Sequence, residues 1–255
     1  QIEITKKQEE KMILIKKFSA PPELEKLKKD AEEKGLSDSE GYDLLRNPLK
    51  DQVRESLMKE QGHLCAYCMR RIPDSRILEE DIHLSKVYIE HWKARESNEQ
   101  STENKGLDYN NLFAVCSGNE KAPGARRRKK RHFTCDKRRD SESLKVNPLD
   151  ESTIETIYYS MDGTMMSTDS QIEDDINRRL NLNCNKEAVV LPQYRKEVLD
   201  TVMEYLAEQE GDYYDNCEEQ LQMWENEEDP KTPYIGIAIW WLKKELAQRN
   251  KDGNR

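Results

Sequence analysis

Gly62-His-Leu-Cys65-Ala-Tyr-Cys68 opens the stretch, running to Asp150, that decides how this chain of 255 residues is read. It continues through Ile89-Glu90-His91-Trp92 and then Leu107-Asp108-Tyr109-Asn110-Asn111-Leu112-Phe113-Ala114-Val115-Cys116. It closes on Cys135-Asp136-Lys137-Arg138-Arg139. Two cysteines two residues apart form a turn whose thiolates can hold one edge of a Zn²⁺ tetrahedron, and structural zinc sites are closed by four such ligands. Cys116 and Cys135 can supply the opposite edge. Zinc binding releases about 10–16 kcal/mol in small metal-folded peptides, which matters in a segment with so little apolar mass. The gap between Cys116 and Cys135 is wide, and His132 is the rival fourth ligand. His63 is read as orienting the turn. Cys184 and Cys217, in helical and acidic surroundings, are read as packing thiols.

Inside this cysteine frame lie groups suited to phosphodiester hydrolysis. That reaction needs an activated water, charge neutralisation at phosphorus and a stabilised leaving oxygen. His91 is a base near neutral pH. Glu90 offers a hard oxygen to Mg²⁺ or Mn²⁺, and such a metal stabilises the developing charge. Successive strand residues face opposite sides, so Glu90 and His91 share a site only where the strand ends or bends. Asn111 can bond the His91 region or reach the metal, and Asp136 can be a second metal ligand. Taken singly, a histidine at a strand end or an asparagine before a leucine is structural. The joint order is what argues for a site.

Composition sets the surroundings. Charged residues are 36% and hydrophobic residues 35% of the chain, a polar, helix-rich balance with thin cores. The net charge of -9 argues against broad coating of nucleic acid but leaves room for a local basic cleft. No apolar run approaches the ~18 residues of a membrane span, and residues 1–11 have no signal-peptide core. The expected location is the cytoplasm, where cysteines so spaced bind metal in preference to forming disulfides.

Outward from the central stretch, residues 1–11 read as a frayed or helical lead and 12–15 as a short strand. A helix is expected over 23–34, started by Pro21-Pro22 and ended by Gly35. Tyr42, Leu44, Leu45 and Leu49 mark a packed segment around Pro48, and a second helix covers 51–61. Val87 to Ile89 is a strand delivering Glu90 and His91. Residues 93–106 read as a solvated loop, and 108–116 as the start of a helix capped by Asp108. Met161-Asp162-Gly163 between β-favouring runs is a hairpin. Helices follow from Ser170, ending with an apolar one over 235–248 read as core, with one Trp of Trp240-Trp241 free to serve a partner.

These motifs carry a resemblance. Gly62 to Cys68, Ile89 to His91, Leu107 to Cys116, Thr134 to Lys137 and Val146 to Leu149 resemble the HNH nucleases of bacterial retron and Septu anti-phage systems, the PtuB type. The likeness extends to Lys17–Leu24, the hairpin at Gly163 and Asn181–Asn183. It implies an α+β, mostly α fold: an HNH ββα-metal core with a zinc knuckle, embedded in N- and C-terminal helices plus a β-hairpin. It also implies a PtuA-type ATPase partner and foreign DNA as target. The chain departs from the pattern in a longer insertion before Cys135 and in Asp136, where such modules carry His or Asn. The organisation expected is an N-terminal helical segment (1–60), the nuclease module (61–150), a hairpin (151–169) and a partner-binding helical region (170–255).

Six consecutive cations, Arg126, Arg127, Arg128, Lys129, Lys130 and Arg131, lie in that insertion. With Lys137, Arg138 and Arg139 they form the expected phosphate-contacting surface, positioning a backbone without reading its sequence. The acidic stretch Glu204 to Glu228 should repel phosphate, and its Tyr205, Tyr213, Tyr214 and Trp224 are types enriched at interfaces. RNA as substrate, and a non-catalytic zinc-stapled binding module, remain alternatives at this level.

Overall fold

The computed structural model describes residues 14–73, 87–95, 104–120, 132–186 and 189–252. The chain is α+β and mostly helical. Helix α1 (Pro22–Glu33) starts on a proline in its first turn, carries Glu23 and Glu25 at its positive end, and buries Leu24 and Ala31. Helix α2 (Asp38–Asp43) is started by a capping box between Ser37 and Glu40. Helix α3 (Leu49–Glu60) turns Val53, Leu57 and Met58 inward. Its buried end residue Glu60 accepts hydrogen bonds from Lys17 Nζ at 2.6 Å and the Tyr109 hydroxyl at 3.0 Å.

The centre is a two-stranded antiparallel sheet. Strand β1 (Tyr88–His91) pairs with β2 (Leu112–Val115), setting Glu90 opposite Phe113 and His91 opposite Leu112. The helix expected from Asp108 is therefore not formed. Asp108 does cap, its carboxylate accepting from the Asn110 N–H at 3.1 Å, but only one 3-10 turn (Tyr109–Asn111) follows before the chain extends. All four side chains of β2 are buried, and its outer edge is met by the side-chain amide of Gln61. That amide donates to the Ala114 carbonyl and accepts from the Ala114 N–H, both at 2.8 Å. Burial on both faces removes the polar alternation that marks a strand in sequence.

Helix α4 (Cys135–Arg139) lies against the end of β1, and α5 (Glu151–Ile154) leads into a hairpin of β3 (Ile157–Tyr159) and β4 (Met165–Ser167). Its turn residue Gly163 has φ +84°, and a Cβ there would meet the Pro192 carbonyl oxygen at 2.0 Å, which is why glycine is needed. Helix α6 (Ser170–Asp174) runs on into a π turn (Asp175–Arg179). Buried Asp175 accepts the N–H groups of Lys145 and Val146 at 2.6 and 2.9 Å. A short pair, β5 (Asn185–Lys186) and β6 (Val189–Val190), precedes helices α7 (Leu191–Ala207), α8 (Tyr213–Glu225) and α9 (Gly236–Asp252).

One hydrophobic cluster runs from Ile15 to Leu242, so the C-terminal helices share the core of the cysteine-framed segment. Main-chain joins include Cys135 N–H to Leu180 O at 2.8 Å, Lys231 N–H to Gly62 O and Tyr234 N–H to Met69 O, both at 3.0 Å. Fully buried Arg195 on α7 has no carboxylate partner among the described residues. It donates to the carbonyls of Gly163 and Leu182, tying the hairpin to the helices. Trp240 and Trp241 are both buried. Leu14 and Ile15 form no strand, although the Ile15 N–H bonds the Pro148 carbonyl at 2.9 Å. No helix among the described residues is long and apolar enough to cross a membrane.

Candidate functional site

Two neighbouring centres grow from the same short elements. The first is the cysteine cluster. After α3 the chain reverses through Gly62 and His63, with φ +61° and +55°. Cys65 N–H then bonds Arg70 O at 2.8 Å and Met69 N–H bonds Cys65 O at 3.0 Å, closing a tight loop around Cys65 and Cys68. The Ala66 N–H to Ala114 O bond, 3.2 Å, lays this loop on β2, whose chain continues directly into Cys116. Cys135 arrives at the start of α4. The sulfurs are 3.9 Å apart for Cys65–Cys135, and 3.8 Å for both Cys68–Cys116 and Cys116–Cys135. All four lie within 4.8 Å of one another and are buried.

Zn–S bonds of about 2.3 Å place the sulfurs of a tetrahedron about 3.8 Å apart, so spacing and donor set both fit a structural zinc ion. Burial pushes the Cys65 thiol up, while hydrogen bonds from the neighbouring cysteines pull Cys68 and Cys116 down; a bound cation is what would hold all four as thiolates. His132 is not in the cluster. The His63 ring instead pairs with Asp229 at 2.5 Å, tethering the loop to the segment between α8 and α9. Cys184 and Cys217 are buried free thiols outside the cluster.

The second centre is a cleft of about 340 Å³ whose walls include Glu90, His91, Arg95, Asp136 and Arg139. Glu90 and His91 can share it because His91 is the last residue of β1 and the chain bends at Trp92. Asp136 reaches the same space from the first turn of α4, beside Glu90. Burial, with Asp136 alongside, pushes the Glu90 carboxyl up to about 8, against the pull of Arg139. Two carboxyl groups side by side in a cleft form a hard-oxygen donor pair. Mg²⁺ is commonly held by one or two carboxylates, with water and substrate phosphate completing its shell. These residues fit such an ion.

The His91 ring is fixed from two sides. Its Nε2–H donates to the Gly106 carbonyl at 3.0 Å, and the Tyr42 ring meets it edge-on with centroids 4.5 Å apart. The Nε2 bond leaves Nδ1 as the atom with a free lone pair. Burial lowers the ring's pKa to about 4, so it is neutral at pH 7.

Asn111 spends its side chain on the main chain. It accepts from Lys93 N–H at 2.7 Å and donates to the carbonyls of Lys93 and Lys105, at 3.1 and 3.0 Å. It closes the ends of the loop that follows β1 and carries Gly106. Both amide atoms of Asn111 are thus engaged by the main chain.

Arg139 departs more sharply from expectation. Expected at the phosphate-binding surface, it is 1% exposed. Its guanidinium donates to Glu90, to the Tyr67 hydroxyl at 3.3 Å, to the carbonyls of His91 and Glu142, and to that of Trp92. These bonds engage all three guanidinium nitrogens, and the residue locks α4 to the end of β1. Lys137 is half-buried, paired with Glu120 at 3.4 Å and placed over the Tyr88 ring, and Arg138 donates to the Arg178 carbonyl at 3.0 Å. The run Arg126 to Arg131 lies outside the described residues.

Sequence reasoning missed Gly106, Tyr42 and Tyr67. The one available signal was a glycine closing a polar loop. Gly106 has no room for a side chain: a Cβ would lie 2.0 Å from the Asp38 carbonyl oxygen. The loop is also less solvated than its composition implies. Buried Asn104 donates to the carbonyls of Leu36 and Ser37 at 3.3 and 3.0 Å. Gly106→Ala is expected to displace the carbonyl that orients His91. Any cutting activity of the cleft should fall at least about tenfold while any metal held by the cysteines stays, since a misplacement of about 1 Å can cost about 10²-fold. Unchanged activity would show that this carbonyl does not set the ring.

Neither a protein-family model nor a curated protein matches the chain.

Proposed function

We propose that the chain is a metal-dependent HNH endonuclease in which β1, β2 and α4 form the ββα unit and the four cysteines hold a structural zinc ion. The observation that carries this reading is the meeting of Glu90, His91 and Asp136 in one cleft, beside four sulfurs at tetrahedral spacing. His91 takes a proton from the attacking water at Nδ1, because Nε2–H is committed to Gly106. Glu90 and Asp136 hold the catalytic Mg²⁺ or Mn²⁺, which when bound supplies charge neutralisation at the phosphate and the leaving oxygen. Arg139 and the Tyr67 hydroxyl, 3.3 Å from Glu90, fix that carboxylate against the helix and the cysteine loop.

DNA is the proposed substrate, and an ATPase of the PtuA type the proposed partner in an anti-phage complex. The acidic face of α8, with exposed Tyr213 and Met223, is the surface proposed for that partner, since like charge keeps DNA away from it. The test is incubation of the purified chain, alone and with such an ATPase, with supercoiled plasmid and with transfer RNA in Mg²⁺ or Mn²⁺. Nicked or linear plasmid is expected. Cleavage of RNA alone would reassign the substrate, and no cleavage of either in any arm would overturn the nuclease reading.

A further inference from the structure

Arg126 to Arg131 lie outside the described residues, and among the described residues a cationic group other than Lys137 to Arg139 gathers at Tyr42, beside the cleft. Tyr42 on α2 packs edge-on against His91, and two cations sit over its ring. Lys50 Nζ and the Arg95 guanidinium carbon are each 4.8 Å from the ring centroid. Arg95 itself lines the cleft with Glu90, His91 and Asp136. Lys50 lies in the first turn of α3, where the helix dipole disfavours a cation. Its N–H bonds the Arg46 carbonyl at 2.9 Å, so Arg46 and Lys50 stack one helical turn apart, and Arg54 continues the row.

Of these four, Arg54 is neutralised by Asp51 at 2.5 Å. No carboxylate among the described residues makes an ion pair with Arg46, Lys50 or Arg95. Like charges held together repel, and burial together with the neighbouring arginines lowers the Lys50 pKa, against a smaller pull from Asp43. An arrangement of this kind is unfavourable in the free chain and is relieved by a bound anion. The anion that belongs beside a phosphodiester-cutting cleft is another phosphate of the same strand.

We infer that Lys50 and Arg95, spaced by the Tyr42 ring and extended by Arg46, form a phosphate-binding cradle that seats the nucleic-acid backbone beside the cleft in which His91 activates the attacking water. This rests on the nuclease reading. It assigns strand positioning to the α2–α3 wall, where an aromatic ring holds the cations in place. Cations of this type carry no base readout and act through charge.

The test is binding of a fluorescein-labelled 20-base-pair DNA duplex by anisotropy, across a salt series, in a His91→Ala background that silences cutting. Lys50→Gln with Arg95→Gln is expected to weaken binding about tenfold or more. It should also reduce the salt-dependence slope by about 2, one for each phosphate that is no longer neutralised. Lys50→Arg with Arg95→Lys keeps both charges and should bind within about threefold of the background, which separates charge from folding. Affinity and slope unchanged in the double Gln variant would overturn the cradle while leaving the nuclease reading intact, provided the native chain cuts. Failure of the native chain to bind or cut any nucleic acid would remove both.

Discussion

Cys65→Ser is expected to cost the chain its metal and its fold together. The four sulfurs are buried and spaced as the corners of one tetrahedron, so removing one leaves three thiols with no closed site. Zinc ligation of about 10–16 kcal/mol is comparable with the whole stability of a typical domain, about 5–15 kcal/mol. The cysteine loop also supports β2 through the Ala66–Ala114 bond and supplies Tyr67 to Glu90, so its collapse reaches the cleft. Metal analysis of purified protein should give about one zinc per chain for the native form and near none for Cys65→Ser. The variant should also lose cooperative thermal unfolding. Cys184→Ser, outside the cluster, should keep its zinc. Unchanged zinc content in Cys65→Ser would remove the four-cysteine site.

His91→Ala should behave in the opposite way. The ring is not a member of the cysteine cluster, so zinc and fold are expected to remain while cutting falls by about 10²–10⁴-fold, the range for loss of a general base. The pH profile adds a sign. Because burial holds the ring's pKa near 4, His91 is already deprotonated through the neutral range. At saturating Mg²⁺ it should therefore impose no acid limb near neutrality; its limb lies near pH 4, where the ring gains a proton. A native rate retained by His91→Ala would exclude the residue as base.

Much of this arrangement is legible in the sequence because it is written in strong local signals. A proline at the head and a glycine at the foot bound α1, Asp162-Gly163 marks the β3–β4 hairpin, and Cys-x-x-Cys announces the cluster of four cysteines that could hold a metal ion. What reads wrongly is decided by burial that composition does not show. Leu112–Val115 is buried on every side, so it carries no alternation, and the Asp108 cap reads as opening a longer helix than the one 3-10 turn that forms. Arg139 reads as one cation in a basic run, yet carbonyls of three separate residues and Glu90 engage all three of its nitrogens. Asn104 reads as loop, yet its amide satisfies main-chain carbonyls between α1 and α2. Cations read from local density point to residues 126–131 and 137–139, whereas Lys50 and Arg95 meet at Tyr42 only once the chain is folded.

The central claim is that the metal-dependent chemistry takes place between Glu90, His91 and Asp136. The most direct measurement is a Mn²⁺ titration of plasmid cleavage by the native chain and by Glu90→Ala and Asp136→Ala, each with its zinc content verified. Both variants should need at least about tenfold more Mn²⁺ for half-maximal cutting, as expected when one of two carboxylate ligands is lost. Titration curves that overlay the native one would place the catalytic metal, and the chemistry, elsewhere.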